Sequence, residues 1–82
     1  MVSVSLAEAV VQQTAIIEEA RSQMLRAEQP STHTFWADIQ LKAIAAIDAL
    51  CLRRMNASTY EALRRQQHAL MAGLRVPEQT RG

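Results

Sequence analysis

Almost nothing in this sequence interrupts a helix. Proline occurs only at positions 30 and 77, and glycine only at 73 and 82. With so few turn formers, a chain of many short strands joined by tight turns is excluded. A Gly-rich phosphate loop is excluded on the same grounds. Aromatic residues are equally scarce, at 4% of the chain: Phe35, Trp36 and Tyr60. A core must therefore be assembled from Ala, Leu, Ile, Val and Met, which allow close helix approach but bury little area each. The single cysteine, Cys51, excludes an intramolecular disulfide and fits a reducing compartment. It stands in an apolar run, where a thiol is expected to serve as a small core hydrophobe. No apolar run approaches the roughly 18 residues of a membrane span. The start, Met1-Val2-Ser3-Val4-Ser5, lacks the basic and apolar regions of a signal peptide. A location in the cytoplasm or inside a virion is expected.

Charge of one sign is also missing, since the formal net charge is +1. No global field draws the protein to nucleic acid or membrane. The distribution is uneven, however. Residues 1–41 hold two arginines against five carboxylates, a net −3, whereas residues 42–82 hold seven cations against three carboxylates, a net +4. Packed antiparallel, the halves partly neutralise one another.

What the sequence does contain is helical periodicity. Ser5-Leu6-Ala7-Glu8 reads as a capping box opening a first helix. From it, Leu6, Val10, Gln13, Ile17, Ala20, Met24 and Ala27 recur at spacings of three and four, forming one seam to about residue 28. Pro30 is expected to stop the chain, and Thr34, or alternatively Ser31, to cap a second helix over about 35–55. Its apolar positions are Trp36, Ile39, Ala43, Ile44, Ala46, Ile47, Leu50 and Cys51, with Leu41 and Leu52 outside that face. So wide an arc exceeds what one neighbour covers, which predicts a central helix with two partners or more. Asn56 is expected in a left-handed conformation at the end of this helix. Ser58-Thr59-Tyr60-Glu61 then repeats the capping-box pattern, opening a third helix over about 59–74 with a seam of Tyr60, Leu63, Gln67, Leu70, Met71 and Leu74. The tail from 76 to 82 carries no apolar period and is expected to be flexible.

These elements predict one all-α domain over 1–82, an antiparallel helical hairpin with a shorter third helix. The third helix covers only part of a first helix about 35 Å long. Part of the seam is then left bare, which points to a partner or to self-association. Expected contact residues are Leu6, Val10, Ile17 and Met24 along the first helix, with Phe35 and Trp36 as an aromatic anchor. The alternative for the two aromatics is that they plug the end of the bundle. Gln13 and Gln67 interrupt apolar seams. Each is expected at the edge of its stripe in contact with water; the alternative is that they set register.

Catalytic and metal constellations are missing. His33 and His68 lie in different elements without a further ligand at metal spacing. Glu18 and Glu19 project about 100° apart on a solvated face. No enzyme activity, metal or cofactor is expected. Ile47-Asp48-Ala49-Leu50 with Arg53-Arg54-Met55 is faintly similar to the first helix of helical chorismate mutases, but Ile44 and Ala45 stand where that family needs cations. Arg64, Arg65, His68 and Arg75 share a basic face able to bind phosphates, although an ion-paired or solvated face is the simpler expectation. A protein partner or a second copy is thus expected, in preference to nucleic acid or membrane.

One resemblance bears on the setting. Phe35-Trp36-Ala37-Asp38-Ile39-Gln40, the run Ala43-Ile44-Ala45-Ala46-Ile47-Asp48, Arg53-Arg54-Met55 and the stretch from Asn56 to Leu70 have a common cadence. An aromatic pair opens a helix, a short capped break follows, and an Arg-rich helix ends it. In this the chain resembles small helical accessory proteins encoded among tailed-bacteriophage structural genes. The resemblance covers about half the chain. It implies a non-catalytic role in a virion or its assembly.

Overall fold

A computed structural model describes residues 5–74 and shows an all-α three-helix bundle. The helices are α1 (Leu6–Arg26), α2 (Pro30–Cys51) and α3 (Ala57–Leu74). Residues 75–82, including Arg75 and the tail at 76–82, lie outside the described residues, as does the side chain of Leu74.

The expected capping box opens α1. The Glu8 amide donates to Ser5 Oγ at 3.1 Å, and the Ser5 amide donates to Glu8 Oε1 at 3.3 Å. Two otherwise orphaned donors are satisfied reciprocally.

The start of α2 differs from expectation. The first helix ends before Pro30 as expected, at Arg26, but Pro30 itself begins the next helix, with Gln29 at the cap position and no side-chain capping bond. Proline suits this place, because the first helical turn leaves its amides without intrahelical acceptors and φ near −65° is already helical. The helix therefore begins five residues before the expected Phe35 start, and neither Thr34 nor Ser31 caps it.

The break between α2 and α3 also lies elsewhere. The second helix ends at Cys51 rather than near Met55. Arg53, not Asn56, adopts the left-handed conformation, with φ 59°. The Arg53 amide donates to Leu50 O at 3.1 Å and the Arg54 amide to Ala49 O at 2.7 Å. This is the Schellman pattern with arginine where glycine is usual. Asn56 caps the helix that follows: its Oδ1 accepts from the Thr59 amide at 2.8 Å. The Ser58–Glu61 box is thus displaced by an asparagine cap two residues earlier.

Closest backbone approach is between α1 and α2. The buried alanines at their interface explain it: Ala9 and Ala20 on α1, Ala43 and Ala46 on α2. Without bulk beyond Cβ at these positions, the two helices approach closely. Ala9 clusters with Leu50, and Ile16 and Ala20 with Trp36, Ile39 and Ala43, so α1 and α2 run antiparallel. The third helix reaches the core through longer side chains. Tyr60 joins Ala9 and Leu50 at one end, and Met71 joins Ile16 and Trp36 at the other. It therefore runs parallel to α1. The face of α1 that is buried is Ala9, Gln13, Ile16 and Ala20, rotated from the expected seam, so that Val10, Ile17 and Met24 lie half-buried at its margin.

Because Ala43 is wholly buried against α1, Ala43→Leu must force the hairpin apart. A loss of about 1–3 kcal/mol is expected, read by urea unfolding followed by circular dichroism. Unchanged stability would show that the crossing has slack.

Candidate functional site

Between the two apolar clusters lies a buried polar layer. Gln13 is fully buried and Gln67 only 4% exposed. Their carboxamides pair reciprocally: Gln13 Nε2 donates to Gln67 Oε1 at 3.0 Å, and Gln67 Nε2 donates to Gln13 Oε1 at 2.8 Å. The second Gln13 amide hydrogen goes to the Tyr60 hydroxyl at 3.1 Å. That hydroxyl is itself within donor reach of Gln12 Oε1 at 2.8 Å and of Ala9 O at 3.3 Å. The glutamines therefore do not reach water at a stripe edge. They are placed as the register-setting alternative requires: position 13 sits at the centre of α1's buried face, and each amide supplies what the other lacks. The sequence signal was their placement within apolar seams.

The expected contact residues of α1 are mostly used by the bundle itself. Ile17 and Met24 pack against the larger apolar cluster, and Val10 is half-buried. Leu6 remains about half exposed and borders a cleft of about 360 Å³ with Leu50, Met55 and Tyr60 at the end of the bundle. The aromatic pair divides. Trp36 is 2% exposed and fills the core beside Ala20 and Met71, so it is no partner anchor but the plug of the alternative reading. Phe35, one residue earlier on the helix, turns outward and borders a shallow depression with Pro30 and Asp38.

On α1, Val11 and Leu25 are exposed singly; a group of exposed apolar residues lies on the outer side of α2 and at its C-cap. Leu41 is 65% exposed, Ile44 43% and Leu52 60%. Ala45 and Cys51 are exposed between them. At 100° per residue these positions centre opposite the buried stripe of Trp36, Ile39, Ala43, Ala46 and Leu50. The expectation that Cys51 packs in the core is corrected: the helix ends there, and its thiol lies on the outer side. The width of α2's apolar arc was visible in the sequence. Which part of it would stay bare was not, because that depends on where α1 and α3 settle.

The basic residues do not form one open face among the described residues. Arg64 and His68 border a groove between α3 and α1, with Gln12 and Glu19 on its other side and Ile16 and Met71 beneath. Arg64 donates to His68 Nε2 at 3.2 Å. The Arg64 Nε is buried without a hydrogen-bond partner. Arg65 points outward, His33 is exposed in the first turns of α2, and Arg75 lies outside the described residues. On α2, Lys42 and Asp38 form an exposed ion pair at 3.2 Å, worth a few tenths of a kcal/mol (about 0.3–0.5) on a helix surface. Among the described residues no group of three or more His, Cys, Asp or Glu could hold a metal ion. No described helix is long and apolar enough to cross a membrane.

No protein-family model, curated protein or solved structure matches this chain.

The amide pair makes a sharp prediction. Gln13→Leu leaves the Gln67 carboxamide buried without its partner and should cost about 1–3 kcal/mol. Gln13→Leu with Gln67→Leu removes both polar groups and should recover much of that loss. Denaturant titrations of the two single variants and the double variant form the cycle. A double variant as unstable as the sum of the singles would show that the glutamines do not act as a pair.

Proposed function

We propose that this chain is a non-enzymatic assembly or adaptor protein that works by packing helix faces against itself or against a larger protein partner. The observation that carries this reading is the outer face of α2. A helix with an apolar stripe on one side needs one neighbour; α2 has a second stripe, Leu41, Ile44, Ala45 and Leu52, with solvent in place of a neighbour. Exposed Asp48 lies within this stripe, between Ile44 and Leu52. The apolar surface is thus a patch of Leu41, Ile44 and Ala45 with Leu52 set apart from it; grouped exposed apolar residues mark interaction sites. The patch is also presented on a helix held rigid by its opposite face, which keeps the ordering cost of association low.

The setting we favour is a phage virion or its morphogenesis, on the resemblance of residues 35–70 to small helical phage accessory proteins. Two alternatives belong to other classes. A small secretion-type chaperone would shield an apolar segment of a client in a one-to-one complex. A nucleic-acid-binding regulator would use Arg64, Arg65 and His68, with binding that falls steeply with salt. The engagement of Arg64 with His68 in the α1–α3 groove weighs against that last reading.

Light scattering over a dilution series, with helicity recorded alongside, tests the proposal. A stoichiometric assembly is expected for the native chain. Leu41→Glu should lower its association constant by at least tenfold without lowering helicity, since Leu41 lies on the exposed side of α2. An assembly indifferent to Leu41→Glu and to Ile44→Glu would remove the outer face from the account. Salt-sensitive binding to DNA or RNA that disappears in the Arg64→Ala, Arg65→Ala double variant would replace it with the regulator reading.

A further inference from the structure

The connection between α2 and α3 is at odds with its own residues. Between Pro30 and Gly73 the chain has no glycine or proline. Leu52, Arg53, Arg54 and Met55 all rank among the better helix formers, and their local preference is to continue α2. The helix nevertheless ends at Cys51. It does so by placing Arg53 at φ 59°, in the left-handed region where a Cβ crowds the backbone and glycine is the usual residue. Asn56 supplies a local start for α3, but residues 52–55 hold no local turn former, and the docking of α3 on α1 favours the reversal there.

That docking has an unusual form. Close backbone approach joins α1 to α2, whereas α3 is held by directional side-chain contacts. These are the Gln13–Gln67 amide pair, the Tyr60 hydroxyl on Gln12, Gln13 and Ala9 O, and Met71 in the apolar cluster. Every one of those contacts can be made equally well with α1 of a second copy. If the connection straightens, α2 and α3 become one helix over Pro30–Leu74, about 67 Å long at 1.5 Å per residue. Arg53 then returns to the right-handed region, the Arg53 and Arg54 amides exchange their Schellman acceptors for helical ones, and the amides of residues 55–58 gain intrahelical acceptors. The Asn56 cap on Thr59 is given up in exchange. Since α3 runs parallel to α1 and α2 antiparallel to it, the straightened helix of one copy arrives on a second copy in the orientation α3 has now. A two-fold axis through the two connections closes the arrangement.

We propose that α3 exchanges between two copies of this chain, the Leu52–Asn56 connection straightening so that each α3 seats on α1 of the other copy. The occupant of the α1 groove is then a second copy's α3, held by the same Gln13–Gln67 pair. Connections under strain favour such exchange. Apart from Leu52, which belongs to the connection, the exchange does not use the outer face of α2, and Leu41 and Ile44 test that face separately.

Two measurements test it. Labelled (¹³C, ¹⁵N) and unlabelled chains are unfolded together, refolded at high concentration, and the dimer fraction is isolated. An isotope-filtered NOE experiment is expected to show the Tyr60 ring against the Ala9 methyl group between labelled and unlabelled chains. The second measurement is the dimer dissociation constant of Arg53→Gly, which relieves the left-handed residue in the closed form alone. It is expected to rise by about tenfold per connection, whereas Arg53→Ala, which keeps the strain, should stay within a few-fold of the parent chain. Three results overturn the exchange: a dimer whose Tyr60–Ala9 contact is only intrachain, a monomer at every concentration, or an Arg53→Gly variant that dimerises as the parent does. A dimer that is lost in Leu41→Glu yet keeps the intrachain contact overturns the exchange and leaves the outer-face reading intact. A Leu41→Glu protein still forming an interchain Tyr60–Ala9 dimer supports the exchange and shows that this dimer does not depend on the outer face.

Discussion

The reciprocal amide pair between Gln13 and Gln67 is the constraint on which the arrangement of this bundle turns. Burying a carboxamide without partners costs about 1–3 kcal/mol on the protein scale, and here two are buried. The cost is offset only when both point at one another, which occurs at one rotation and one axial shift of α3 on α1. Apolar packing alone is far more permissive, since Leu, Ile and Met contacts slide with little penalty. The pair thus selects among many nearly equivalent packings, as a single polar residue does in a coiled-coil seam. Tyr60 extends the selection, because its hydroxyl accepts from Gln13 while reaching Gln12 and Ala9 O.

Around that layer the helices divide the work unequally. The α1–α2 hairpin is joined by alanines and depends on proximity, with dispersion contacts accumulated at short range. The third helix stands farther off and depends on reach and hydrogen bonding. A core so poor in aromatic residues has one large apolar side chain fully inside it, Trp36, which bridges α1, α2 and the Met71 end of α3. With that core covered, the apolar residues left over are shared between α1, where Leu6, Val11 and Leu25 are exposed, and the outer side of α2, where Leu41 and Ile44 lie one turn apart. Such a surface is an expense for a lone chain and an asset for one that assembles.

Strain and assembly meet at the α2–α3 connection. A glycine at position 53 would satisfy the Schellman geometry at little cost, and the chain has arginine there instead. The same residues that make the reversal strained also favour a continuous helix. A connection with two competing conformations joins an element fastened by transferable contacts, which is the physical basis for exchange between copies. Outer-face packing and helix exchange are compatible, since one uses the exposed stripe of α2 and the other the α1–α3 groove.

Much of this was legible in the sequence. The all-α class follows from the scarcity of turn formers and from apolar recurrence at three and four. The Ser5–Glu8 box is local, its four residues satisfying one another, and it was readable for that reason. The edges of α2 were not. Pro30 can end one helix or begin the next, and the choice depends on where the hairpin reverses. The stretch from 52 to 55 reads as helix because its residues are good helix formers, whereas the reversal there depends on contacts far away in the chain, where Tyr60 and Gln67 meet α1. The burial of Trp36 beside an exposed Phe35, the outward thiol of Cys51 and the bare stripe of Leu41, Ile44 and Leu52 likewise waited on tertiary structure. Periodicity states that a side of a helix is apolar, whereas which apolar side is covered depends on how many neighbours there are and where they lie. What the sequence by itself determined was three helices and their approximate lengths, because hydrogen bonding and side-chain spacing within a helix are local. What tertiary structure alone decided was the rotation of each helix and the pairing of Gln13 with Gln67, because those contacts join residues 54 apart in the chain.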